Sequence, residues 1–117
     1  MLFHYKIQAQ KDVHVINMEG ELIEKTQADV LLEEVKKAIE GGSKKFILDF
    51  SNLRYMNSSG LGILVKLLTK IRNGGGELAA CNLNKKMQEL LIITKLNQMF
   101  HIAESIDKAM EELSKEN

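Results

Sequence analysis

A chain of 117 residues, 44% apolar, with 16 basic residues against 16 acidic ones, is sized for one core, a single domain over residues 1–117. The balanced charge excludes an overall field that would draw it to nucleic acid or an anionic membrane. The single cysteine, Cys81, excludes an internal disulfide; no apolar run approaches the roughly 20 residues of a membrane span and no signal-peptide pattern is present, so a cytoplasmic protein is expected.

Phe3, Tyr5 and Ile7 alternate with His4, Lys6 and Gln8, the pattern of a strand with one wet face. Lys11-Asp12 supplies a turn and Val13 to Met18 a second strand, so a hairpin opens the fold. Gly20 to Lys25 reads as a loop. Thr26, with Asp29 three residues later, reads as the cap of a helix that carries Leu31, Leu32, Val35 and Ile39 on one face. Gly41-Gly42 ends that helix.

Phe46-Ile47-Leu48, continued through Asp49 to Phe50, is the run expected of a strand buried on both faces. Asn57-Ser58-Ser59-Gly60 then forms the turn into a helix with Leu61, Leu64, Val65, Leu68 and Ile71 at helical spacing. Ile63 and Leu67 widen this apolar arc. Packing against a neighbouring helix explains most of that width, and a partner-binding strip beside Ser58 is the second reading. Gly74-Gly75-Gly76 stops the helix, and a short strand runs from Leu78 to Cys81. Asn84 caps a third helix, Met99 to Ile102 makes a short edge strand, and Ser105 caps a final helix bearing Ile106, Ala109, Met110 and Leu113. The order is β-β-α-β-α-β-α-β-α. It predicts an α/β protein with one mixed sheet of five strands, parallel at its centre, and four helices that need not cover both faces.

Nucleotide chemistry finds little support. The triple glycine follows a helix and precedes a strand, whereas phosphate-cradling loops run from strand to helix. Gly60-Leu61-Gly62 lies on the correct side but lacks the surrounding GxxxxGK[ST] or GxGxxG pattern. His4, His14 and His101 fall on three different strands and Cys81 has no cysteine partner, so no metal site and no cofactor are expected. A serine nucleophile would need a nearby oriented base, and the GxSxG elbow is missing, so the chain reads as a non-enzyme. In an open α/β sheet, ligands and partners gather at the carboxyl ends of strands, where the next helix presents free N–H groups. Ser58 stands there. A plain helix cap would explain one of Asn57, Ser58 and Ser59, since only one can be the cap. Ser59 is expected to take the structural role, as cap or first-turn residue.

At this point LDFSNLRYMNSSGLGILVKL resembles the signature segment of STAS domains, specifically the bacterial anti-sigma factor antagonists. MEGEL, GGGELAACNLN and ESIDKAMEEL extend the resemblance over nearly the whole chain. It implies the STAS fold and a partner-switching regulator of transcription. The unmodified form would bind an anti-sigma factor that is also a serine protein kinase and so release the sigma factor. Phosphorylation at Ser58 would abolish binding, and a serine phosphatase would restore it. Asn57, Ser59 and Gly60 would flank the switch, and Ile23 and Glu24, after the GEL turn, would lie near it with a part in partner binding. Asn57 and Ile23 replace acidic residues of the family pattern. The alternative is a STAS scaffold that is not phosphorylated, or a soluble subunit of a transport or signalling complex.

Overall fold

The computed structural model describes residues 2–115. β1 (Phe3–Gln10) and β2 (Val13–Leu22) form an antiparallel hairpin, turned at Lys11 with a left-handed φ of 60°. β3 (Lys45–Met56), β4 (Glu77–Cys81) and β5 (His101–Ala103) then add in parallel, giving one sheet in the order β1-β2-β3-β4-β5. The helices are α1 (Asp29–Glu40), α2 (Ser58–Asn73), α3 (Lys85–Ile93) and α4 (Ile106–Ser114). This is the mixed five-stranded, four-helix architecture that the sequence pattern predicts.

The alternation of β3 divides the core. Phe46, Leu48 and Phe50 point into the larger cluster, with Leu31 and Val35 of α1, several α2 residues and Leu91 of α3. Ile47 points to the other side, where Val13, Val15, Ala79 and Cys81 pack under Ala109 and Leu113 of α4. Among the described residues α4 is the helix that covers that face, and the outward residues of β1 (His4, Lys6, Gln8) stay exposed. Cys81 is 0% exposed, and burial, with Asp49 adding its charge, pushes its thiol up to about 12.

Asp49 is the buried charged residue among the described residues, 5% exposed. Among the described residues no cation pairs with it. Asn17 Nδ2 donates to Oδ2 at 2.8 Å, while Asn82 Nδ2 and the Ser51 N–H donate to Oδ1 at 2.9 and 3.0 Å. Burial by itself would raise the carboxyl pKa, but these hydrogen bonds to the charged form outweigh it and the pKa is lowered. The carboxylate thus pins β2, β3 and the segment after β4 together.

Several expected boundaries shift. Gly20 to Lys25 is not a loop throughout, because β2 runs on to Leu22 and pairs with the extended end of β3, Leu22 opposite Met56. Thr26 is not a helix cap. A single 3-10 turn, Lys25–Ala28, precedes α1, and Gln27 closes it by accepting the N–H groups of Ile23 at 2.7 Å and Glu24 at 2.9 Å. Glu24-x-x-Gln27 is the capping-box spacing, two residues ahead of the Thr26 reading. The last strand begins at His101 because Leu96–Gln98 is another 3-10 turn and Phe100 is buried in the core. The remaining caps stand where the sequence puts them: Asn84 accepts from the Met87 N–H at 2.9 Å and Ser105 from the Lys108 N–H at 3.1 Å.

Candidate switch site

The site lies at the carboxyl end of the sheet, where β3 hands over to α2 and β2 to the turn before α1. Asn57 is the N-cap of α2: its Oδ1 accepts the Gly60 N–H at 3.1 Å. Its Nδ2 donates to the Ile23 carbonyl at 3.2 Å, and its own N–H reaches the Leu22 carbonyl at 3.4 Å. One short side chain therefore fixes the helix start and ties it to the end of β2. Gly60 makes this approach possible, since a Cβ there would lie 2.3 Å from the Leu22 oxygen.

With the cap assigned to Asn57, Ser58 and Ser59 are both first-turn residues. Ser58 is exposed, and its hydroxyl makes no hydrogen bond among the described residues. Ser59 is half-buried and likewise does not cap. The first turn contains no acidic residue, so no carboxylate of that turn offsets the positive end of the helix dipole beside Ser58. The N–H groups of Ser58 and Ser59 have no partners within the helix, as at any helix start.

Ile23 stands at the site, with Glu24 next to it in the chain. The Ile23 carbonyl touches Asn57, and Glu24 is exposed. Ile63 and Leu67 do not stand there. They are 1% and 0% exposed, on the α2 face opposite Ser58, and belong to the main core. The partner-strip reading of that pair is therefore overturned, and the width that Ile63 and Leu67 add to the apolar arc is core packing. Gln27 and the Leu22 carbonyl are the site-building groups that the sequence reading missed. Gln27 was legible in the capping-box spacing; a backbone carbonyl carries no residue signal.

Other chemistry has no cluster to support it. Among the described residues no three His, Cys, Asp or Glu side chains converge as a metal would require, and no helix is long and apolar enough to cross a membrane.

The family model described as the STAS domain matches residues 4–109. The chain is 28% identical over 114 residues to the anti-sigma F factor antagonist of Paenibacillus polymyxa, covering 97% of each chain. It is 32% identical over 96 residues to the anti-sigma-B factor antagonist of Bacillus subtilis, covering 82% of this chain and 85% of that one. The solved structure of the anti-sigma factor antagonist SpoIIAA in its unphosphorylated form has a TM-score of 0.74 at 16% identity, covering 97% of this chain and 100% of that one. The Bacillus cell fate determinant SpoIIAA in its phosphorylated form has a TM-score of 0.73 at 20% identity, covering 93% and 98%. At these identities the structural likeness speaks for the fold.

Proposed function

The chain belongs to the STAS domain family, and on that premise we propose that it is an anti-sigma factor antagonist that works by partner switching at Ser58. In its unmodified form it binds an anti-sigma factor that is also a serine kinase, and the sigma factor is released. The kinase then transfers the γ-phosphoryl group of ATP to Ser58 Oγ; the hydroxyl proton passes to a base of the kinase and ADP leaves. A serine phosphatase hydrolyses the ester and resets the protein. The support in name comes from the antagonists of Paenibacillus polymyxa and Bacillus subtilis.

The observation that carries the switch is the division of labour at the helix start. Asn57 holds the cap, so the exposed Ser58 hydroxyl is free for modification without loss of a structural bond. A phosphate there adds up to two negative charges beside the helix N-terminus, which tolerates them. A partner packed against the same turn meets new bulk and charge. The modification therefore acts on the surface and leaves the fold in place.

The test is a binding titration of the cognate anti-sigma factor kinase with Ser58→Ala and Ser58→Glu, alongside phosphopeptide mapping. The alanine variant is expected to bind constitutively and the glutamate variant weakly, with phosphate found on Ser58. Equal affinities and an unmodified Ser58 would overturn the switch and favour a STAS scaffold.

A further inference from the structure

α2 contains two glycines two residues apart, and the fold needs only one of them. A Cβ on Gly60 would collide with the Leu22 carbonyl at 2.3 Å. At Gly62 a Cβ would meet nothing within 4 Å, the residue is exposed, and its backbone is ordinary helix. Glycine is the worst residue for a helix interior after proline, so Gly62 weakens α2 with no return inside the molecule. Its position offers a reason. Gly62 follows Ser58 by four residues and so lies one turn further along the same helix face. Val65, 40% exposed, comes on that face in the next turn.

Resting on the partner-switching reading, we infer that Gly62 is a positioning residue for the anti-sigma factor kinase. The partner lays backbone or an apolar side chain directly on the bare helix at Gly62, and this close approach brings its nucleotide to Ser58. A methyl group at position 62 holds the partner away from the helix. Phosphoryl transfer tolerates little misplacement of the attacking oxygen, so docking and transfer suffer together.

The experiment compares the full chain with Gly62→Ala and Gly62→Leu in thermal melts, in titration with the unmodified cognate kinase, and in initial rates of Ser58 phosphorylation. Alanine is expected to raise the Tm by about 4 °C, through helix propensity alone. It should nevertheless weaken binding about tenfold, with kcat/KM for phosphorylation falling in parallel, and leucine should weaken both further. A purely structural role cannot raise stability and lower binding at once. An alanine variant that binds within twofold of wild type overturns the inference, and so does one that melts lower. Failure of the folded wild type to bind the kinase removes the partner-switching reading itself, which is a distinct result.

Discussion

The side-chain amide of Asn57 donates to the backbone carbonyl of Ile23 at 3.2 Å, across 34 residues of sequence. These are the two positions at which the resemblance of the sequence to STAS antagonists leads one to expect acidic residues. A carboxylate at 57 could still accept the Gly60 N–H, but it has no hydrogen to offer the Ile23 oxygen. Asparagine serves both ends, so here the helix start and the turn before α1 are joined by a neutral bond.

Asn57→Asp should keep the cap and lose the tie. A carboxylate at a helix N-terminus gains about 0.3–1 kcal/mol, which offsets the roughly 0.5–1.5 kcal/mol of one neutral hydrogen bond. The variant should stay within about 1 kcal/mol of wild type in urea unfolding, while Asn57→Ala, losing both bonds, should be less stable by about 2 kcal/mol. If Asp proves as damaging as Ala, the bond to Ile23 dominates and the cap is minor.

Ser59→Ala separates the first-turn serine from the cap. The sequence alone gives Ser59 a structural role whose loss would be worth about 1 kcal/mol. With Asn57 in the cap, alanine at 59 should change stability by less than about 0.5 kcal/mol, because its better helix propensity compensates for the lost hydroxyl. Thermal melts decide it, and a loss of a full kcal/mol would return the cap to Ser59.

Gly60→Ala should be the most damaging single-methyl change in α2. The new Cβ would sit 2.3 Å from the Leu22 oxygen and 3.1 Å from the Met56 Cβ, so backbone must move. A cost of about 2–3 kcal/mol is expected from such overpacking. A variant within 1 kcal/mol of wild type would mean that the first turn of α2 slides freely along the end of β2.

Asp49 sets an acid limit. Its folded-state pKa lies below the ordinary 3.8, so its contribution to stability is fully present above that value. It is lost as the pH falls below 3.8 and through the folded-state pKa. Asp49→Asn should cost about 1–3 kcal/mol at neutral pH, because one amide hydrogen pair must face Asn17, Asn82 or the Ser51 N–H. It should also flatten the decline of stability between about pH 4 and pH 2. Denaturant midpoints across that range provide the check, and parallel curves for both proteins would remove Asp49 from the acid transition.

The fold was readable wherever side-chain pattern decides it: the alternation in β1, the continuous apolar run of β3, the glycine stops and the Asn84 and Ser105 caps. The misreadings have a common source in backbone groups. Leu22 looks like part of a loop until the end of β3 arrives to pair with it, and Thr26 looks like a cap until Gln27 takes the preceding N–H groups. Burial was harder still. Ile63 and Leu67 are apolar whether they meet a partner or the core, and only the rotation of α2 on the sheet assigns them inward. The choice among Asn57, Ser58 and Ser59 likewise depended on one residue of register, which the capping hydrogen bond to Gly60 resolves.

Cys81 gives this protein a built-in clock. Burial, with Asp49 adding its charge, pushes the thiol up to about 12, so the native state holds it protonated at pH 7, and α4 shields the sulfur from solution. A thiol reagent must wait until α4 lifts from the sheet or the whole chain opens. The labelling rate therefore reports the free energy of that opening, with no engineered probe and no competing cysteine. Because Ser58 starts a helix in the cluster on the opposite face, a partner docked there should slow the clock only by stabilising the molecule as a whole.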